Sequence, residues 1–291
     1  MRLATIVHEG QQRVGRLAAD GQSIELFAGD GSHGALPLIE AAAQGRALPP
    51  LDGRVALAGA RFLAPLPLPR RNLFCVGRNY HAHANELRDS VFKGNAQAVD
   101  TWPIVFTKVP DCVVATGVPV RLPGAAVSVQ IDYEAELAVV IGRGGRNIAR
   151  ADALGHVYGY TIVNDVTARD VQMRHAQWHL GKSFDTFCPM GPWLVTADEL
   201  DGSDTRVRCW VNGELRQDGR TSDLIFDIPT LIETCSRGIT LHPGDIIATG
   251  TPAGVGMGLK PPRWLQHGDV VRIEIDGLGV LENTFAEETL R

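Results

Sequence analysis

Short apolar runs separated by glycine, proline and asparagine dominate the hydrophobic pattern of this chain, and few stretches carry the period of an amphipathic helix. Alternation over Leu3 to His8 and Val14 to Ala18 predicts two strands around a polar turn, and the apolar segment Leu36 to Ala43 predicts a short helix. Pro49, Pro50 and the run LAPLPLPRR fix φ and remove backbone donors, so they read as an extended connector with a domain boundary near Pro69. Beyond it, NLFCVG, WPIVFTKV, ELAVVIG, VYGYTIVND, GPWLVTADEL, RVRCWVNGELRQ, DIIATGTP and DVVRIEIDGLGVLEN read as strands bounded by turn residues. Asn212-Gly213 between apolar pairs signals a type I′ hairpin, and Gly244-Asp245 and Gly268-Asp269 are turns that enter strands. The pattern predicts an α+β, β-rich chain with a small α+β unit over residues 1–70 and a large β-rich unit over residues 71–291.

Composition narrows the class. A chain of 291 residues that is 44% hydrophobic and 21% charged can bury a large core, and a net charge of −5 without basic clusters argues against nucleic acid as a partner. No apolar run approaches the roughly 18 residues of a membrane span, and MRLATIVHEG has no signal-peptide profile, so the expected location is the cytoplasm. The five cysteines, at 75, 112, 188, 209 and 235, form no CxxC pair and read as small core residues in a reducing compartment. His175 and His179 share a helical spacing that suits a metal but lack the companion glutamate of a zinc motif. Gly181-Lys182-Ser183 lacks the upstream glycine of a phosphate loop. TGTPAGVGMG reads as a tight loop where backbone approaches something closely, such as a ligand.

Two constellations carry chemistry. In VQIDYEAELAVVIG, Glu134 and Glu136 are two residues apart, so a strand turns both carboxylates to one face, with Tyr133, Ala135 and Leu137 on the other. Adjacent buried anions repel and cost desolvation energy, so the pair points either to a hard divalent cation or to a solvated or salt-bridged strand face. Asp165, at the end of the apolar run Val157 to Val163, is placed to add a third ligand or to cap a helix beginning near Thr167. In GRNYHAHANEL, His83 and Glu86 stand at i and i+3, on one face of a helical turn after Asn79, where a carboxylate either orients an imidazole for acid/base work or forms an ordinary surface helix pair with it; His81 faces elsewhere.

Taken in order, GRNYHAHANEL, IDYEAELAVVIG, YTIVNDVTARDVQ, LGKSFDTFCPMGPW, VNGE, HPGDIIATGTPAGVG and GDVVRIEIDGLGVLEN resemble the fumarylacetoacetate hydrolase superfamily across nearly all of Asn72 to Phe285. The resemblance implies a mixed β-roll or barrel catalytic domain behind a small N-terminal domain, and commonly a homodimer. It also implies Mg²⁺ or Mn²⁺ on Glu134, Glu136 and Asp165, water activation by His83 and Glu86 on a mobile helix, a catalytic Lys182, and substrate contacts from Arg169, Gln172 and Thr251. The activity it implies is hydrolysis of a C–C bond in an acylpyruvate- or fumarylpyruvate-like 2,4-diketo acid through a metal-stabilised enolate. The same enolate serves an isomerase, tautomerase or decarboxylase of oxaloacetate or 2-hydroxymuconate-type 2-oxo acids. A metal-stabilised binding or scaffolding protein is the reading from a different class. The segment 88–100 reads as a lid over substrate or as a surface loop.

Overall fold

A computed structural model describes residues 1–88, 101–174 and 177–287. The lid segment lies outside the described residues apart from Arg88, and so does His175. Among the described residues, an eleven-stranded mixed sheet and a five-stranded sheet account for most of the strands. The larger sheet starts with the antiparallel strands Leu51–Ala56, Ser23–Phe27, Gln11–Leu17 and Arg2–His8. It continues through Leu194–Thr196, Val157–Asn164, Ala135–Ile141, Ile246–Ala248, Leu73–Gly77 and Ile104–Lys108, while Arg61–Leu63 pairs with Arg2–His8. Its hydrogen bonding therefore runs unbroken across the proline-rich connector, because Arg2 and Leu3 pair with Val195 and Leu194.

The apolar runs are explained by what covers them. Every residue of Ala135–Ile141 is buried, with Leu137, Val139 and Ile141 in one core and Ala138 and Val140 in another. The first core also takes Val207, Cys209 and Ile273 from the five-stranded sheet, and the second takes Leu38 and Ile39 from the helix Leu36–Ala43. A strand covered on both faces has no polar side to show, so its sequence runs continuously apolar. The hairpin between Arg206–Val211 and Glu214–Arg220 turns at Asn212 (φ 52°) and Gly213 (φ 81°), the two positive angles that a type I′ turn demands. Gly244 (φ 85°) and Gly268 (φ 89°) likewise precede Ile246–Ala248 and Val270–Ile275. All five cysteines are free and buried. No helix among the described residues is long and apolar enough to cross a membrane.

This topology gathers several strand ends. Ala135 pairs with Asn164, Ala138 with Ala248, and Ala248 with Cys75, so the start of one strand and the ends of three others converge on one edge of the sheet. The residues just beyond those ends are Glu134, Asp165, Gly250 and Arg78.

Candidate active site

The carboxylates of Glu134, Glu136 and Asp165 offer oxygens that all lie within 4.8 Å of one another, and all three residues are buried. Local bonding holds them there. The Asp165 N–H donates to the Glu134 carbonyl (2.9 Å), and the Glu134 N–H donates to Asn164 Oδ1 (3.1 Å). Glu136 Oε2 accepts the Gly250 N–H (3.0 Å).

No Lys or Arg lies close in sequence to the Glu134–Glu136 pair, but the fold brings three cations to the cluster. Lys182 Nζ sits 2.6 Å from Glu134 Oε2 and 2.7 Å from Asp165 Oδ2. Arg169 Nη2 is 2.7 Å from Glu134 Oε1, and its Nε donates to Asp132 Oδ2 at 2.9 Å. Lys108 Nζ, with no solvent exposure, donates to Asp165 Oδ1 (2.7 Å), the Val166 carbonyl (3.1 Å) and the Lys182 carbonyl. Sequence reasoning missed Lys108. Its signal was a lysine closing an otherwise apolar strand, since a buried ammonium requires a carboxylate partner. The helix-cap reading of Asp165 fails. Thr167–Ala168 is a short strand and the helix Arg169–Gln172 starts after it with Ala168 at its N-cap, while both Asp165 oxygens are taken by lysines.

The charges act unequally. Burial alone would push the Glu134 carboxyl up, but Arg169 and Lys182 beside it hold it well below the usual range. Glu136 goes the other way. Burial, then the charges of Asp165 and Glu134, push it well above that range, and Lys182 and the Gly250 N–H offset this only in part. Burial would also lower Lys108, yet the Asp165 carboxylate reverses this and keeps its ammonium form favoured. Three hard oxygen donors this close, one of them still carrying uncompensated repulsion, fit a hard divalent cation.

The second constellation faces the same cavity. Helix His81–Arg88 follows the turn at Arg78 (φ 55°) and Asn79, whose amide group donates to the Thr249 carbonyl (2.8 Å) and accepts the Phe226 N–H (2.8 Å). His83 Nδ1 lies 3.3 Å from Glu86 Oε2, and the Glu86 carboxylate accepts the Gly254 N–H at 3.0 Å. A Cβ on Gly258 would fall 2.1 Å from the Glu86 carboxyl, so a larger residue there would push this acid from its seat. The close approach expected of TGTPAGVGMG is thus made to the protein's own carboxylates: Gly250 N–H to Glu136, Gly254 N–H to Glu86, and Gly256 N–H to Asp132 (2.7 Å).

One small cavity brings together His83, Glu134, Glu136, Arg169, Gln172 and Lys182, and Thr251 also lines it. The Thr251 hydroxyl donates to the Ala135 carbonyl (3.0 Å), and Gln172 Oε1 accepts from Arg169 Nη1 (3.2 Å). Glu86 stands behind His83. His81 is exposed and borders a separate surface hollow with Asp218 and Asp223.

A strand-rich fold with an acidic, lysine-lined pocket at its strand ends defines a class of small-molecule enzymes. The model of the fumarylacetoacetate (FAA) hydrolase C-terminal domain matches residues 72–286, and the chain belongs to this family. It is 50% identical over 229 residues to oxaloacetate tautomerase YisK of Bacillus subtilis, covering 78% of this chain and 74% of that protein. Among solved structures, it resembles fumarylacetoacetate hydrolase from the psychrophile Exiguobacterium antarcticum (TM-score 0.84, 40% identity, 99% of this chain and 100% of that one). It also resembles 5-carboxymethyl-2-hydroxymuconate delta-isomerase from Mycobacterium smegmatis (TM-score 0.80, 35% identity, 99% and 100%).

Proposed function

We propose that this protein is a divalent-metal-dependent tautomerase or isomerase of a small 2-oxo acid, with oxaloacetate the first substrate to test. The observation that carries the reading is one cavity in which Glu134 and Glu136, the cationic Arg78, Arg169 and Lys182, and His83 meet, with Asp165 clustered against the two glutamates. The tautomerase and isomerase names of two relatives support this chemistry over the C–C hydrolysis expected first from the sequence.

Glu134, Glu136 and Asp165 would hold Mg²⁺ or Mn²⁺, which when bound supplies Lewis-acid stabilisation for negative charge on the oxygens of a 2-oxo acid. Arg169 and Lys182 bring fixed positive charge to the same cavity and orient the substrate's carboxylate. Imidazole is the side chain that exchanges protons near neutral pH, and His83 is the one histidine lining the cavity among the described residues. It takes a proton from the carbon beside the ketone and delivers it to the resulting enolate oxygen, and the same two transfers run in reverse for ketonisation. Glu86 orients the ring and balances the charge that it acquires. Gln172 positions the Arg169 guanidinium.

Hydrolysis remains the second reading, supported by the His83–Glu86 pair, which can equally activate water, and by the hydrolase among the structural relatives. The test is to follow enol–keto exchange of oxaloacetate by ultraviolet absorbance with Mg²⁺, alongside pyruvate release from acetylpyruvate. Faster exchange without matching cleavage is expected. Catalysed pyruvate release with no acceleration of exchange would reverse the order of the two readings.

A further inference from the structure

The lining of the cavity is divided. Eight of its twelve residues are charged or polar, and the other four, Val76, Gly77, Phe106 and Trp178, form one apolar patch. The patch is built closely. A Cβ on Gly77 would lie 2.4 Å from Trp178 Cζ3, so the indole fills the space that any larger residue at position 77 would need. Phe106 meets Trp178 edge-on, with centroids 5.3 Å apart and an interplanar angle of 60°. Lys182 Nζ also lies 4.8 Å from the Phe106 ring centroid. The chain next to Trp178 is stapled to the same strand, because His179 Nδ1 lies 3.0 Å from Thr107 Oγ1 and 3.1 Å from the Thr107 carbonyl oxygen.

We infer that Trp178 is a specificity-determining residue: its indole, seated on Gly77 and braced by Phe106, limits the site to short 2-oxo acids. The inference rests on the proposed 2-oxo acid chemistry. An acid whose carboxylate and ketone engage the charged part of the lining turns its remaining carbons toward the apolar patch, where Trp178 is the largest group. Arg78, next to Gly77, also lines the cavity, so the end of a short acid can be charged or apolar, and length is what the indole limits. A methylene that a pocket cannot hold costs about 10- to 200-fold in selectivity.

The experiment is calorimetric titration, with Mg²⁺, of oxalate and of straight-chain 2-oxo acids from pyruvate to 2-oxo-octanoate. It compares the wild type with Trp178→Ala and Trp178→Phe. Each affinity is divided by that of oxalate in the same protein, so a general loss of site integrity cancels. The wild type should discriminate increasingly against longer chains, and Trp178→Ala should raise the 2-oxo-octanoate to oxalate ratio at least about tenfold, with Trp178→Phe between them. If both variants bind oxalate and their ratios match the wild type's, the inference is wrong while the chemistry stands. If the wild type binds neither oxalate nor any 2-oxo acid, both fall together.

Discussion

The carboxylate cluster and the His83–Glu86 helix face one cavity, yet they are held in opposite ways. The cluster draws Glu134, Glu136, Asp165, Lys108, Lys182 and Arg169 from four separate stretches of chain, and each of these side chains is nearly or wholly buried. Its order is that of the core itself. The helix places its two groups within a single turn, and the contact that anchors Glu86 from outside that turn is the Gly254 N–H. Buried charges tolerate little freedom, because a displaced partner leaves an ion in a medium that cannot solvate it. A proton carrier needs only a local partner. Substitutions in the cluster should therefore strike folding and metal uptake together, whereas substitutions on the helix should strike turnover alone.

Asp165→Ala tests this contrast most severely. It removes the carboxylate shared by Lys108 and Lys182, leaving one buried ammonium with only carbonyl partners. Breaking a buried pair from one side costs about 3–5 kcal/mol. Denaturant unfolding should show a loss of that size, and calorimetry should show no Mg²⁺ or Mn²⁺ uptake. Uptake at wild-type affinity would remove Asp165 from the proposed ligands. His83→Asn comes next. Turnover should fall by about 10²–10⁴, with metal uptake and the unfolding midpoint close to wild type. A matching collapse in stability would mean that the helix belongs to the core after all.

The same contrast explains which features could be read from the sequence. The His83–Glu86 pair is a matter of helical spacing, and the convergence of Glu134 and Glu136 follows from strand alternation, so both were accessible from local rules. The same holds for the helix Leu36–Ala43 and the turn at Asn212-Gly213. Lys108 was hidden because its acceptors lie 57, 58 and 74 residues away. Asp132 was passed over for a similar reason. Its role in gripping Arg169 and the Gly256 and Met257 N–H groups exists only after the loop folds back across the sheet. The capping motif suggested for Asp165 is common, and here it lost to two lysines that local reading could not see. The strand pairing of Arg2 and Leu3 with Val195 and Leu194 was equally beyond local pattern.

Glu86→Gln probes the helix more gently. Glutamine keeps an oxygen for the Gly254 N–H but gives up the charge that balances a protonated His83. A hydrogen bond to a charged group exceeds a neutral one by about 1 kcal/mol, so turnover should drop by somewhat less than about tenfold. A far larger loss, comparable to that of His83→Asn, would show that Glu86 itself exchanges protons with substrate or water.

The smallest effect should come from His81, and that makes it the most discriminating control. It sits on the same helical turn as His83, two positions earlier, and a helix rotates by about 200° over that distance. Accordingly His83 is buried and lines the cavity, whereas His81 is exposed and borders the outer hollow. His81→Ala should leave stability within about 0.5 kcal/mol and turnover within about twofold of wild type. A substantial loss of turnover would mean that any disturbance of this turn disables the enzyme. The sensitivity of His83 would then report the placement of the helix, and the proton-transfer role proposed for its imidazole would lose its main support.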